Sequence, residues 1–321
     1  MRRGIRKTAW LIPGVAISLL AIQAVPANAN EPINTGDRAS VVASYQTRLE
    51  PLLGVPTGWN GNLGECRAGE PSSESQNAVL SAVNYVRALG GLPAVDLNAD
   101  LSKKSQQAAL IMAANEIISH DLPRSAQCWS QAGYEGAKNG NLALGVGFAP
   151  GALANTTGPR AVINYMDDPG EGNDLVGHRR WIMYQSLAEI GNGDTDSSNS
   201  MYVIGSRLRN SARTWVPWPT AGFFPRELEP EGRWSLSHPK ADFRRAKVTV
   251  TTPQGPVPVK VTPVRSGFGD NTISWDMELP AAYGANPTAD YPITVKVTGI
   301  RLGGKKVTKE WTTTLVKASA N

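Results

Sequence analysis

The sequence predicts an α+β protein in which a region mixing helices with a small sheet precedes an all-β region. Three observations predict it. Apolar residues recur at three- and four-residue steps between residues 76 and 118, the stripe of helices lying on a core. Beyond Ala241, short runs of alternating or branched residues are separated by turn-forming Gly, Pro and Asn, the pattern of strands. Between these regions tryptophan and proline crowd residues 211–240, a composition too rich in proline for a helix.

The first 29 residues read as a signal peptide. Met1–Lys7 is basic, Ala9–Ala24 is largely apolar but broken by Pro13 and Gly14, and Ala27-Asn28-Ala29 fits the small-x-small cleavage site. The apolar run is short and interrupted for a bilayer span of roughly 20 residues, so cleavage after Ala29 is expected over a retained anchor. No later segment is long and apolar enough to cross a bilayer. Export removes Arg2, Arg3, Arg6 and Lys7 but no acid, taking the formal charge from +5 to +1. A nucleic-acid partner then has no support from charge. The only cysteines are Cys66 and Cys128, and in an oxidising compartment their plain reading is a disulfide. Free thiols or a metal site are the alternatives, although the close cysteine spacing of zinc sites is missing.

Residues 30–74 read as an irregular arm with one helix near Ala39–Leu49. Val79, Ala82, Val83, Val86 and Leu89 mark a helix over Gln76–Leu89, stopped by Gly90-Gly91-Leu92-Pro93. A second helix is expected over Ala99–Ile118, capped by Asn98 or Asp100, with Leu101, Ala108, Ile111, Met112 and Ile118 facing inward and His120 just beyond. The glycines from Gly133 to Gly151 suggest a close-packed loop. Arg160–Met166 suits a short helix closed by Asp167-Asp168-Pro169-Gly170, another short helix or turn opens at Gly177, and residues 187–193 and 201–205 look like strand pieces. The expected organisation is a helix-and-sheet domain over 75–210, a Trp/Pro-rich connector over 211–240 packed on a neighbour, and an immunoglobulin-like β-sandwich over 241–318. A ligand-stacking surface made by the connector's tryptophans is the rival to packing. The sandwich carries no cluster of His, Asp or Cys and suits support or adhesion.

Imidazole chemistry has three candidates: His120, His178 and His238. His238, between Ser237 and Pro239, reads as a surface or packing residue. His120 and His178 lie in loop contexts, where polar side chains commonly carry function. If they converge, Asp121, Asp167, Asp168, Glu171 and Asp174 are near enough in sequence to complete a site. His120 and His178 with one of these carboxylates would make a two-imidazole, one-carboxylate set for zinc or another divalent metal, against histidines hydrogen-bonded within a polar core. Neither His-Glu-x-x-His nor Gly-x-Ser-x-Gly occurs, and Gly145-Val146-Gly147 lacks the lysine and context of a phosphate loop. Arg179 and Arg180 either hold an anion or pair with the neighbouring acids.

A series of motifs then carries a resemblance. Val83-Asn84-Tyr85-Val86-Arg87 with Gly91-Leu92-Pro93, Ala108-Ala109, His120, Gly140-Asn141-Leu142-Ala143-Leu144-Gly145, and Gly177-His178-Arg179-Arg180-Trp181-Ile182 with Gly191-Asn192-Gly193 resemble the successive signature blocks of the CAP superfamily. This is the SCP-like extracellular, or cysteine-rich secretory, antigen 5 and pathogenesis-related, group. The likeness covers about Ser75 to Arg207 and is greatest to its bacterial secreted branch. It implies an α-β-α sandwich with a cleft holding two histidines and two acids. His120 and His178 match the cleft histidines, and Asp168, following Tyr165, matches one acid, with Asp167 or Glu171 as alternatives. The other acid's place, before Asn141, is Gly140. Glu135, from the same loop, is the candidate replacement for that charge.

Family activities range from lipid binding to effects on walls and membranes and partner recognition, so the resemblance does not choose among them. The first expectation is a secreted, non-catalytic binding or structural module acting at a cell envelope or matrix, with no cofactor required and an unknown extracellular ligand of cell-wall, lipid or protein class. The alternatives are a metal-assisted hydrolase of peptide or cell-wall material and a carrier of an apolar ligand. In the hydrolase His120 and His178 would hold the ion, Asp168 would complete its shell, and Arg179 would stabilise developing negative charge.

Overall fold

The computed structural model describes residues 31–145 and 155–320. The expected signal peptide lies outside the described residues. Helix α1 (Arg38–Arg48) starts where the Asp37 carboxylate accepts the amides of Ala39 and Ser40. Ser72, Asn98 and Ser130 cap α2 (Ser73–Leu89), α3 (Ala99–Asn115) and α4 (Gln131–Lys138) in the same way, since a side-chain oxygen satisfies an amide that the first turn leaves unpaired. Two further helices follow, α5 (Gly158–Asp167) and α6 (Gly177–Ile182).

A four-stranded sheet sits among these helices. It comprises β1 (Asp96–Leu97), β2 (Gly140–Leu144), β3 (Glu189–Asp194) and β4 (Ser198–Tyr202), in the order β1-β3-β4-β2. Only the β1–β3 pair is parallel. On one face α3 lies against β3 and β4, with α4 beside it. Ala143, Ile190 and Met201 instead join the core that holds Val79 and Val83 of α2 and Val162 and Tyr165 of α5. Helices therefore cover the sheet on both sides, the α-β-α arrangement that the resemblance implies.

Two local expectations change. The glycine-rich stretch forms α4 and β2 as far as Leu144, and residues 146–154 lie outside the described residues. Its glycines act as contact points. A Cβ on Gly136 would stand 2.2 Å from the Lys104 carbonyl oxygen, and one on Gly133 would stand 2.4 Å from Ile111 Cδ1, so α4 approaches α3 only without side chains there. The second helix ends at Asn115, with Glu116 left-handed at φ 51. Asn115 donates to the Gln127 carbonyl and accepts its amide, and the chain turns. Ile118 is consequently 55% exposed instead of facing inward.

The all-β part has two sheets. One runs β10-β9-β13-β14-β6, with β8 also pairing to β13; the other runs β11-β12-β7-β5. Their strands are β5 (Val216–Trp218), β6 (Gly222–Pro225), β7 (Arg233–Ser237), β8 (Ala241–Asp242), β9 (Lys247–Thr252), β10 (Gly255–Val257), β11 (Lys260–Val261), β12 (Thr272–Asp276), β13 (Tyr291–Leu302) and β14 (Lys305–Val316). The Trp/Pro-rich stretch, expected as a connector, supplies β5, β6 and β7 and so contributes to both sheets. Trp218 and Trp234 are 1% and 0% exposed; they fill core and offer no stacking surface.

The arm before α2 touches both parts. The Phe223 amide donates to Thr35, Arg38 clasps Asp290 through two bonds, and Gln46 donates to the Ala318 carbonyl. Buried apolar residues from α2, α5, β7, β12 and β13 accordingly belong to one continuous core. A smaller satellite core of Ala108, Ile111, Met112, Leu122, Ala137, Leu142 and Leu144 lies under the loop after α3. Cys66 and Cys128 form the expected disulfide, which ties the arm to that loop. Among the described residues no helix is long and apolar enough to cross a membrane.

Candidate functional site

His120 and His178, 58 positions apart in sequence, line one open cavity of about 650 Å³. Its wall also includes Ile118, Leu142 and Leu144 on one side and Asn164, Tyr165, Pro169, Gly170 and Asn173 on the other. Among the described residues the lining is thus part apolar and part amide, with no carboxylate.

His178 is held from several directions. It stands in the first turn of α6, and its Nδ1 lies 2.6 Å from Asp168 Oδ1. Asp168 is fully buried, and its second oxygen accepts the Arg179 amide at 3.0 Å. It occupies the left-handed position that ends α5, with φ 50 and ψ 53, one of the few conformations that an Asp tolerates there better than most side chains. That turn carries the carboxylate back towards α6. Tyr165 packs its ring on His178, centroids 5.2 Å apart. The Tyr165 hydroxyl donates to Asn199, whose amide reaches Asp194. Asp194 in turn accepts the Gly158 amide at the start of α5, and burial pushes its carboxyl above the ordinary range. The helix that presents Tyr165 and Asp168 is therefore pinned at both ends by buried polar bonds, which are costly to leave unmade.

His120 has fewer constraints. It is exposed, and its Nδ1 lies 2.8 Å from the Ala137 carbonyl. A carbonyl can only accept, so Nδ1 carries the proton and Nε2 is the free acceptor. With Asp168 ionised, His178 has the same tautomer. In both rings Nδ1 is engaged, which leaves Nε2 as the remaining hydrogen-bonding atom of each imidazole at the cavity.

The other expected site residues fall elsewhere. Asn141 is 2% exposed and donates to the His178 carbonyl; it supports the histidine's backbone from below. Glu135 is on α4, paired with Lys104 at 2.8 Å and bonded by Gln131, and does not line the cavity. Its carboxyl is lowered by that hydrogen bond from Lys104. Arg179 is 1% exposed. Its guanidinium donates to the carbonyls of Met166, Asp167 and Arg233 and to Ser235 Oγ, so it cannot meet a substrate in the cavity. Arg180 likewise donates to the carbonyls of Arg265 and Asp270. Both arginines bind backbone oxygens of the junction between the two parts instead of an anion. His238 is buried and stacked on Trp215 at 4.5 Å, with its pKa lowered by burial.

The fold around this cavity has a counterpart among known families. Residues 80–212 match the model of CAP, the cysteine-rich secretory protein family. This region is a CAP-like domain. No curated protein gives a match to the chain. At the position before Asn141, where the resemblance implies an acid, packing as well as sequence excludes one. A Cβ on Gly140 would stand 2.7 Å from the Gly136 carbonyl oxygen and 3.2 Å from that of Met201.

The hydrolase alternative places a divalent metal on His120, His178 and Asp168. The donor set does not assemble in that form. Both Asp168 oxygens are engaged and buried, and among the described residues no group of three or more His, Cys, Asp and Glu is placed to hold an ion. Two Nε2 atoms fall short of the three protein donors of a catalytic zinc site. The residues that sequence reading passed over are Asn164, Asn173 and Gly170. They carry no pattern of their own, because only the return of α5 towards α6 brings them to the wall.

Proposed function

We propose that this chain is an exported, non-catalytic binding module that engages an extracellular ligand at a cell envelope or matrix through the two-histidine cavity of its CAP-like domain. One observation carries the reading. Two imidazoles face a single open cavity, while the carboxylate that could have acted as a base is spent in orienting one of them. The His178–Asp168 pair is an arrangement that a hydrolase would also use, but among the described residues no carboxylate lines the cavity and no cluster of ligating side chains stands beside it. Paired Nε2 acceptors beside the amides of Asn164 and Asn173 suit a ligand rich in hydroxyl groups, and the apolar wall of Ile118, Leu142 and Leu144 suits its carbon skeleton.

A second reading rests on a separate observation. A carboxylate bonded to Nδ1 of a histidine is also the usual support for a metal-ligating imidazole, so a metal-assisted hydrolase stays as the rival. Sedimentation of the purified mature protein with insoluble cell-wall polymer separates them. Saturable co-sedimentation that weakens at least tenfold in the His120→Ala, His178→Ala double variant supports the binding module. Absent binding, or binding indifferent to both substitutions, overturns it. Release of soluble wall fragments together with stoichiometric metal by elemental analysis would establish the hydrolase, and co-extracted lipid detected by mass spectrometry would establish an apolar-ligand carrier.

A further inference from the structure

The junction between the CAP-like domain and the β-sandwich reaches into the cavity wall. Arg233 opens strand β7. Its Nε donates to Asp276 Oδ1 at 2.8 Å, on the neighbouring strand β12. Its Nη1 points the other way and donates to the carbonyls of Asp168, at 2.5 Å, and Gly170, at 2.8 Å. The side chain is only 15% exposed. One fork of a planar guanidinium is thus anchored on the sandwich while the other clamps both ends of the Asp168-Pro169-Gly170 turn. Pro169 and Gly170 line the cavity, and Asp168 orients His178.

We propose that Arg233, a residue of the β-sandwich, is a positioning residue of the two-histidine cavity. Asp168 and Gly170 both have positive φ, 50 and 91, and a non-glycine residue keeps such a conformation only when its surroundings fix it. The amide of Asp168 bonds within α5, to Asn164. Its carbonyl, by contrast, is held by Arg233 from outside the CAP-like domain. Arg179 reinforces the same link: it donates to Met166 and Asp167, the last carbonyls of α5, and to the Arg233 carbonyl and Ser235. The sandwich therefore does more than carry the CAP-like domain. It sets the direction in which His178 presents Nε2. The proposal depends on the Asp168–His178 pair; only its consequence for binding rests on the proposed function, and its test needs no ligand.

The full mature chain, labelled with 15N in its histidine rings, reports the result directly. In the parent protein His178 shows one tautomer, with an Nδ1 proton shielded from exchange by Asp168. Arg233→Ala is expected to speed exchange of that proton on the order of tenfold, the consequence of losing an ordinary charged hydrogen bond, and to broaden the His178 signals while leaving those of His120 in place. Arg233→Lys keeps the charge without the fork and should fall between. Ser274→Ala removes a different bond across the same junction, the one to the Asp174 carbonyl. It should lower the melting temperature while leaving His178 unchanged. A folded Arg233→Ala protein with parental His178 signals overturns the proposal, as does a Ser274→Ala protein with an equal His178 change. If Arg233→Ala fails to fold, Arg233→Lys decides alone, and unchanged signals there also overturn it. A chain that shows the ring effect but binds no wall polymer would remove the proposed function and keep the positioning role.

Discussion

The two histidines of the cavity are held by opposite means. His178 stands on the main core, with its carboxylate partner fully buried, an aromatic ring against it, and two arginines bonding the turn beneath. His120 is an exposed loop residue above the satellite core. It makes one hydrogen bond, and its loop is tied down by the Cys66–Cys128 disulfide. One wall is fixed by buried polar bonds that need their surroundings; the other is held by a small apolar core, a few loop hydrogen bonds and a disulfide. The cavity therefore has a side braced mainly by buried polar bonds, termed the rigid side, and a side braced in part by a disulfide, and the expectation is that each can be loosened without the other.

The largest effect is expected on the rigid side. Arg179→Ala removes the guanidinium bonds to three carbonyls and one hydroxyl and leaves those acceptors without their donor beside the buried Asp168. A loss of roughly 3–5 kcal/mol is expected, measured by denaturant unfolding, with His178 disordered first. On the other side, Cys66→Ser with Cys128→Ser frees a loop of 62 residues in sequence separation and should cost roughly 2–4 kcal/mol. Hydrogen exchange should then rise around residues 116–129 and not in α5 or α6. Equal loosening of both walls by either change would break the distinction.

The difference between the walls also explains what could be read in the sequence. The wall around His178 follows local patterns: the α5 stripe ends at Asp167-Asp168-Pro169-Gly170, and Gly177-His178-Arg179-Arg180 opens the next helix, which left several acids near His178 in sequence; the resemblance singled out Asp168, and only the structure shows that it bonds His178. The arginines misled because local charge suggested acids or anions, whereas their partners are carbonyls up to 90 positions away. Around His120 the sequence offered periodicity that continued past Asn115, but a side-chain bond to Gln127 ends the helix, and no pattern records it. Gly133 and Gly136 looked like loop because glycine permits turns; here its lack of a Cβ is used for helix contact. Similarly, the prolines and tryptophans of 211–240 disguised three strands, because prolines are tolerated at strand ends and edges, and the tryptophans are core.

A pH experiment sharpens the rigid side further. Burial pushes Asp167, at the end of α5, up to about 8, opposed by Arg179 and assisted by Glu229, Glu231 and Asp168. Its ordinary value is 3.8, so between these limits the folded chain binds more protons than the unfolded one. Its contribution to stability is then fully present below the lower value and falls as pH rises towards 8. Unfolding free energies measured from pH 4 to 9 should show that decline, and Asp167→Asn should flatten it. A decline of the same size in the variant would place its origin elsewhere.

The smallest expected effect tests the comparison most directly. His120→Ala removes one bond from an exposed ring, so stability should change by no more than about 1 kcal/mol. His178→Ala leaves the Asp168 carboxylate buried without its imidazole partner and should cost more, about 1–3 kcal/mol. If both rings serve one ligand, the two substitutions should nonetheless reduce binding to a similar degree. Unequal stability with equal loss of binding is the signature of two side chains that are alike in chemistry and different only in how the fold holds them. Equal stability losses would mean that the burial around Asp168 is not what fixes the rigid wall.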